Sequence, residues 1–306
     1  MNSSSTVTDR PNTTPGPSTI AASLRMAAKL LCERSDSPQL DAEVLLASLL
    51  GATRSALKLR SDEALGADTV VAYRELIVRR AGGVPVAYLT GVREFWSLPL
   101  VVTPAVLVPR PETELLVEQA LELLVDASAA VLDLGTGSGA IALAVASERR
   151  DARVVGVDIS EEAVRVARAN AHALGLAGIE WRVGSWFAAV ADRRFDIILS
   201  NPPYIGARDS ALASLQAEPA TALIGGPTGL EQLAYIIAAA PSHLLPGGWL
   251  LTEHGADQAR PVRALFERQH FQDIRSFDDY SGRPRLTRGR LRGPLASPPS
   301  PNQEPS

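Results

Sequence analysis

The feature that most constrains the fold is a glycine-rich turn between an apolar run and a helical run, VLDLGTGSGAIALA at residues 131–144. Glycine has no Cβ atom, so Gly135, Gly137 and Gly139 let the backbone turn sharply and approach a ligand closely. After residue 109, helical and extended patterns alternate, which is typical of a parallel sheet. The sequence therefore predicts an α/β domain with a nucleotide-like ligand beside this turn.

A carboxylate follows the next predicted strand. Asp158 stands nineteen residues beyond Gly139, where nucleotide-binding folds place an acidic residue against two ribose hydroxyls. Because Ala140 also permits a dinucleotide fingerprint, spacing alone leaves the cofactor open. Asp133, just before the turn, would repel a pyrophosphate and suits the sulfonium and ammonium charges of S-adenosylmethionine. This favours an adenosyl cofactor without phosphates.

The sequence Asn201-Pro202-Pro203-Tyr204 directly follows a predicted strand at 195–200. The two prolines fix φ and lack N–H groups, so the preceding carbonyls lie rigidly at the carboxyl edge of the sheet, where ligands bind in such folds. With the side-chain carbonyl of Asn201 they can accept both N–H groups of an amide or amino nitrogen, and Tyr204 adds an aromatic face. Such a nitrogen needs no general base, so the motif indicates methyl transfer governed by positioning.

Five segments together resemble the release factor glutamine methyltransferases, the HemK/PrmC family. They are LVPRPETE at 107–114, DLGTGSGAIAL at 133–143, VDIS at 157–160, SWF at 185–187 and NPPYI at 201–205. The resemblance runs from about residue 20 to 291. NPPY is shared with adenine-N6 DNA methyltransferases and other amino-group methyltransferases, so it indicates only the reaction type. LVPRPETE, after a helical segment, narrows the family.

The resemblance implies a Rossmann-like class I S-adenosylmethionine-dependent methyltransferase acting on the side-chain N5 of the glutamine in the GGQ motif of class I peptide chain release factors. It implies catalysis by Asn201, Pro202 and Tyr204, and no metal. It places Asp158 on the cofactor ribose and Trp186 on the adenine. The implied cofactor residues are Gly135, Thr136, Gly137, Ser138, Gly139, Asp158, Trp186 and Asn201; the implied substrate residues are Asn201, Pro202, Pro203 and Tyr204.

One residue departs from this family pattern. Many members carry Asp before the Trp, where this chain has Ser185. A hydroxyl can still accept a hydrogen bond from an adenine amino group. The difference therefore bears only on a role for Ser185 itself.

The sequence predicts a chain of unequal parts. Residues 20–90 carry apolar residues at helical spacing and predict a small helical substrate-recognition domain, its third helix at 69–80, with extended pieces from residue 84. Residues 91–108 predict a hairpin connector, 109–293 the methyltransferase domain, and 1–19 and 294–306 disordered tails. Within the methyltransferase domain the predicted helices span 113–125, 140–148, 161–174 and 230–240; the strands span 130–134, 153–157, 180–183, 195–200 and 249–252; and a hairpin spans 274–291.

Charge and composition limit the partners. Thirty basic against 34 acidic side chains give a net charge of -4, which provides no broad positive field for a nucleic-acid backbone. No stretch approaches the roughly 18 apolar residues of a spanning helix, and the N-terminus has no secretory signal. The single cysteine, Cys32, is expected to be a small buried residue. We expect a cytoplasmic monomer with release factors as protein substrates and no stable nucleic-acid or membrane partner.

Further candidates have two interpretations each. Arg110, Glu112 and Glu114 either line the cofactor or peptide groove or belong to a helix that Pro111 starts and whose acidic first turn complements the dipole.

Glu218-Pro219 and Gly225-Gly226 resemble the family's loop after NPPY, which implies a segment that closes over the substrate; two surface turns containing glycine would look the same. His254 is not expected to act as a base, because the reaction requires none. Alternation through the terminal hairpin predicts a solvated basic face for its arginines: Arg283, Arg285, Arg288, Arg290 and Arg292.

The sequence leaves two alternative functions open. One is methylation of another amide or amino nitrogen, such as a ribosomal-protein glutamine or adenine N6 in nucleic acid. The other is binding of S-adenosylmethionine without catalysis. The intact NPPY sequence argues against pure binding, since holding the cofactor would not need it.

Overall fold

The computed structural model describes residues 18–126 and 128–293. These residues form two compact units, one ending at Thr90 and one beginning at Gly91. The predicted tails at 1–19 and 294–306 lie outside the described residues, except for Ser18 and Thr19. Within the described ranges, no helix is both long and apolar enough to cross a bilayer.

The first unit is helical. Its core contains Leu31, Leu45, Leu46, Leu57 and Ile77, all at most 2% exposed. In chain order its elements are β1 (Ser18–Thr19), α1 (Ile20–Leu31), α2 (Pro38–Leu49), α3 (Arg54–Leu59), β2 (Ala64–Leu65), α4 (Ala67–Ala81) and α5 (Val86–Thr90).

Three sequence predictions fail in this unit. Ser18 and Thr19 are not tail residues: they pair antiparallel with β2, and the Thr19 hydroxyl caps α1. Residues 86–90 are helical rather than extended, because the carbonyl of Pro85 accepts the N–H of Tyr88 and closes a first turn. Cys32 is exposed rather than buried, because it follows Leu31, the last core position of α1.

The second unit starts with the predicted hairpin, formed by β3 (Val92–Phe95) and β4 (Leu98–Val101). Its two turn residues, Trp96 and Ser97, have φ of 53° and 58°, the conformation of a tight two-residue hairpin turn. Residues 102–110 then run without regular structure into a 3-10 helix at Pro111–Thr113, which continues as α6 (Glu114–Leu123).

A seven-stranded sheet forms the centre of this unit, in the order β12-β13-β11-β8-β5-β6-β7, and β13 alone runs opposite to the other six strands. A separate parallel pair joins β9 to β10. The elements are β5 (Ala130–Leu134), α7 (Ala140–Glu148), β6 (Arg153–Asp158), α8 (Glu161–Ala173), β7 (Glu180–Val183), β8 (Phe195–Ser200), β9 (Ile205–Gly206), β10 (Ile224–Gly226), α9 (Glu231–His243), β11 (Leu244–Glu253), α10 (Ala259–Arg268), β12 (Gln272–Asp278) and β13 (Pro284–Arg290).

The strand order places a switch point between β5 and β8. The chain runs from β5 outward through β6 to β7 and then returns to β8 on the other side of β5. Side chains alternate along the strands, so Val131 and Ile197 pack under α6 and α7, while Leu132 and Ile198 pack under α9 and α10. Ligands of such sheets bind where the two connections diverge, at the carboxyl ends of β5 and β8.

The predicted terminal hairpin exists and extends this sheet. The prediction that its arginines form one solvated face is wrong for Arg288 and Arg285, whose side chains are 12% and 17% exposed. Because β13 pairs with β11, the Arg288 guanidinium lies above the ring of Trp249, 5.4 Å from its centroid. The carboxylate of Asp279 pairs with Arg285. Three arginines remain exposed: Arg283, Arg290 and Arg292.

Candidate active site

A cavity of about 410 Å³ lies at the carboxyl edge of the sheet, a size typical of small-molecule sites. Gly135, Gly137, Asp158, Trp186 and Asn201 all line it. Leu107 lines it as well, so the structure brings together residues from all five segments that the sequence singled out.

The glycine turn forms one wall of this cavity. Gly135 and Gly137 have φ of 73° and 55°, which L-residues with side chains rarely adopt. The N–H groups of Gly135 and Thr136 both donate to the carbonyl of Val157 at 2.9 Å, so the turn folds over the end of β6. A Cβ atom on Gly135 would lie 3.4 Å from the ring of Trp186. The missing side chain therefore keeps space open at the wall.

The other residues of the turn face the protein interior. The Thr136 hydroxyl donates to Asp133 at 2.6 Å, and the Ser138 carbonyl accepts from Asn170 at 2.9 Å. Gly139 is the N-cap residue of α7, and a Cβ there would lie 3.0 Å from Trp181. These three residues shape the turn without lining the cavity.

Asp133 occupies a different place from the one its sequence position suggested. Its side chain is fully buried, and Oδ2 accepts from the Thr136 hydroxyl and from the N–H of Ala142. Burial raises the pKa of Asp133 to about 7, against the lowering effect of these two hydrogen bonds. Asp133 therefore supports the glycine turn from beneath and does not face the cavity.

Asp158 lines the cavity directly. Its Oδ2 accepts the N–H of Gly137 and its Oδ1 accepts the N–H of Ser160, each at 2.9 Å. Burial raises the pKa of Asp158, and these backbone hydrogen bonds oppose the shift. A carboxylate oxygen can accept more than one hydrogen bond, so both keep capacity for a ligand hydroxyl.

Trp186 is held by a residue that the sequence analysis missed. It starts the 3-10 helix Trp186–Val190 with φ of 47°, a strained value for a bulky side chain. Its indole Nε1 donates to Oε1 of Gln232 on α9 at 3.0 Å, and Gln232 also lines the cavity. Nothing in the local sequence of α9 marks Gln232.

A second cavity of about 270 Å³ adjoins the first, and Asn201 lines both. Pro202, Tyr204 and Arg110 line the second cavity alone, whereas Pro203 lines the first. The NPPY sequence therefore separates two spaces, with Asn201 at their junction. A donor in one space and an acceptor in the other would meet beside this side chain.

A buried hydrogen-bond chain lies behind Asn201. Its Nδ2 donates to Oγ1 of Thr113 at 3.1 Å, and that hydroxyl donates to Oε2 of Glu253 at 2.7 Å. The Tyr204 hydroxyl donates to the other oxygen, Oε1, at 3.2 Å. Burial raises the pKa of Glu253 to about 7 and also raises that of Tyr204. The sequence indicated no role for Thr113 or for Glu253, although Glu253 was expected to end a strand at the same edge.

Two further segments, one containing Arg110 and one containing Glu218, meet beside the second cavity. The carboxylate of Glu218 is buried; it pairs with the guanidinium of Arg110 and accepts the N–H of Val108 at 3.0 Å. Of the three charged residues near Pro111, Arg110 thus lines a cavity, whereas Glu114 accepts the N–H of Trp96 at 2.8 Å and fixes the hairpin turn.

His254 has no access to either cavity. Its ring is buried, Nδ1 donates to the carbonyl of Gly255 and Nε2 accepts from the Thr287 hydroxyl, both at 2.9 Å. Burial lowers the pKa of His254. The side chain therefore ties β11 to β13 as a neutral ring.

Known proteins share this arrangement of sequence and fold. Residues 111–222 match the Methyltransferase small domain, and residues 22–91 match the PrmC N-terminal domain. The crystal structure of the hMettl16 catalytic domain in complex with a MAT2A 3'UTR hairpin superposes with a TM-score of 0.55 at 14% identity, covering 77% of this chain and 84% of that one. That likeness concerns the fold alone.

Two curated relatives align along nearly their whole length. The release factor glutamine methyltransferase of Aliivibrio fischeri is 44% identical over 274 residues, covering 87% of this chain and 95% of the relative. That of Vibrio cholerae is 45% identical over 278 residues, covering 90% and 97%. This chain belongs to the family of release factor glutamine methyltransferases.

Proposed function

We propose that this enzyme transfers a methyl group from S-adenosylmethionine to the side-chain amide N5 of the glutamine in the GGQ motif of class I peptide chain release factors. The observation that carries the proposal is the position of Asn201, which lines both cavities at the switch point of the sheet. One cavity has the glycine turn and carboxylate that suit an adenosyl cofactor. The other is lined by the rest of the NPPY motif.

The cofactor is S-adenosylmethionine, and the larger cavity fits it. When bound, it would supply a methyl group on a sulfonium, and attack by a nitrogen on that methyl would release the sulfur as the thioether of S-adenosylhomocysteine. We assign the ribose hydroxyls to the carboxylate of Asp158 and the adenine to Trp186, while Gly135 and Gly137 give space beside the methionine part. Thr136, Ser138 and Gly139 contribute by shaping the turn.

The NPPY residues hold the substrate amide. Asn201 Oδ1 and the backbone carbonyl of Pro202 accept the two N–H groups, Pro203 keeps the backbone rigid, and Tyr204 packs against the amide plane. An amide nitrogen is a poor nucleophile, so the protein contributes mainly by alignment, which can supply up to roughly 7–11 kcal/mol in ideal geometry. The nitrogen loses its proton to water after transfer, and no side chain needs to remove it beforehand.

The wider proposal covers partners and setting. We infer that the helical unit recognises the release factor and that the enzyme works as a cytoplasmic monomer without stable nucleic-acid or membrane partners. The net charge of -4 supports a protein substrate over a nucleic acid.

One experiment distinguishes the substrate classes. The full chain is incubated with methyl-labelled S-adenosylmethionine and, in parallel, a class I release factor, ribosomal proteins or duplex DNA. We expect label only on the release factor, located by mass spectrometry to the GGQ glutamine. Label on DNA, on ribosomal protein or on nothing would contradict the proposal. Asn201→Ala should abolish most transfer while the cofactor Kd stays within about two-fold; equal loss of both would contradict its role.

A further inference from the structure

The carboxyl group of Glu253 connects to both polar side chains of the NPPY motif. Thr252 pairs with Ser200 across β11 and β8, so the next residues, Glu253 and Asn201, lie side by side at the carboxyl edge of the sheet. One oxygen of Glu253 accepts from Tyr204, and the other accepts from Thr113, which in turn accepts from Asn201. Thr113 and Glu253 are 4% and 2% exposed. They can therefore act on a substrate only through the side chains that they hold.

The direction of this chain is fixed by chemistry. A carboxylate only accepts hydrogen bonds, and a threonine hydroxyl has a single hydrogen to donate. Because Glu253 takes that hydrogen, the oxygen of Thr113 can only accept, and its partner must be the NH₂ end of the Asn201 carboxamide. Oδ1 of Asn201 is then the end left for the cavities.

The reversed carboxamide would be nearly the same shape but chemically wrong. It would present NH₂ to the NH₂ of a glutamine side chain, two donors facing one another. We propose that Glu253 and Thr113 are positioning residues that hold the Asn201 carboxamide with its oxygen toward the methyl-accepting nitrogen. This inference rests on the proposed function.

The charge of Glu253 determines which groups donate and which accept along these hydrogen bonds. Burial raises its pKa most; the carboxylate of Glu112 raises it further, while hydrogen bonds from Thr113 and Tyr204 and the guanidinium of Arg285 lower it, with the net value about 7. Arg285 itself pairs with Asp279. When the carboxyl is protonated it can donate to Thr113, whose own hydrogen is then free for the oxygen of Asn201. The active orientation is then no longer enforced, so kcat falls as the pH drops below about 7.

A second buried threonine provides a matched control for the hydrogen bonds that connect Glu253 to Asn201. Thr252 is fully buried beside Glu253, and among the described residues its hydroxyl has no hydrogen-bond partner. Thr113→Val and Thr252→Val make the same substitution, with nearly the same change of shape, and only the first breaks the link between Glu253 and Asn201. Thr113→Ser keeps the hydroxyl and removes only a methyl group.

The test measures kcat for release-factor methylation from pH 6 to 9, with the cofactor Kd and the unfolding midpoint for each variant. We expect Thr113→Val to lower kcat at least ten-fold at pH 8 and to remove its fall at acid pH, with the cofactor Kd within two-fold. Thr113→Ser and Thr252→Val should keep the wild-type kcat and its acid limb. Glu253→Gln should lower kcat and also lose the acid limb.

The outcomes separate the two proposals. An active wild type with an equally active Thr113→Val, or with an acid limb that survives in Thr113→Val and Glu253→Gln, overturns the positioning role alone. A similar kcat loss in Thr252→Val shows general packing damage and also overturns it. A wild type that binds the cofactor but does not methylate release factors overturns the proposed function, and the inference with it.

Discussion

The hydroxyl of Ser200 donates to the carbonyl of Leu134 at 2.8 Å, joining the last residues of β8 and β5. Both residues are fully buried. Beyond Leu134 the chain enters the glycine turn, and beyond Ser200 it enters the NPPY motif. This side-chain hydrogen bond therefore spans the switch point and reinforces the backbone pairing of β5 with β8 where the two parts of the site begin.

Ser200→Ala should weaken this connection. It leaves a buried carbonyl without its side-chain partner, which lowers the free energy of unfolding by about 1–3 kcal/mol and raises the cofactor Kd. Urea denaturation and calorimetric titration measure the two effects. Ser147→Ala removes a comparable hydroxyl-to-carbonyl bond within α7 and should lose no more than about 0.5 kcal/mol. Equal losses in both variants would assign no special role to the switch-point bond.

Gly156→Ala should disturb the strand beneath the glycine turn. A Cβ atom there would lie 2.4 Å from the ring of Trp181, so the ring or the strand must shift, which lowers the free energy of unfolding by about 1–3 kcal/mol. In Gly178→Ala the added atom has no neighbour within 4 Å among the described residues, and stability should stay unchanged or rise by about 0.4–1 kcal/mol. A stable Gly156→Ala protein would show that this packing is not tight.

Asp158→Asn should weaken cofactor binding. The amide keeps one acceptor oxygen for the two backbone N–H groups now held by two oxygens, and it places a donor near the proposed position of the ribose hydroxyls. We expect the Kd for S-adenosylmethionine to rise at least about ten-fold, which corresponds to about 1.4 kcal/mol. Asp151→Asn, just before the other end of β6, should leave the Kd unchanged. Calorimetric titration of both variants checks the assignment.

Asp133→Asn should change how stability depends on pH. The pKa of Asp133 is raised to about 7 in the folded protein, so the folded state retains a proton that the unfolded state has lost. From about pH 4 to 7 this group therefore lowers the free energy of unfolding as pH rises, by at most about 1.4 kcal/mol per pH unit. Urea denaturation at pH 5, 6 and 7 should show a shallower decline for Asp133→Asn. Parallel declines would place the titration elsewhere.

Local sequence predicted the parts of the site whose geometry is set by neighbouring residues. The glycine turn and the NPPY motif each follow a buried strand, and Asp158 ends one. An apolar run that is followed closely by a glycine or proline marks a strand end without tertiary information. Their meeting at one sheet edge followed from the general properties of parallel sheets. The identification of glutamine as the methyl acceptor came from the family resemblance and not from these patterns.

The residues that sequence missed come from distant segments. Thr113 is separated from Glu253 by 140 positions and from Asn201 by 88, and no periodicity reports which side chains meet across such distances. Arg288 shows the same limit: alternation predicted which face of the hairpin carries it, but the register with β11 determined that Trp249 would cover it. The predicted burial of Cys32 was wrong by one position, because the last core residue of α1 is Leu31.

The side chain of Glu218 connects two segments that line the cavities. Its two oxygens hold Arg110 and the backbone of Val108, while its neighbours Pro219 and Ala222 line the larger cavity or both cavities. Charge-assisted hydrogen bonds of this kind are the stronger ones in proteins. Glu218 thus links the segment before α6 to the loop after β9 through a single side chain. Both cavities are therefore lined by the two segments that this side chain joins, since Leu107 and Ala222 line each of them.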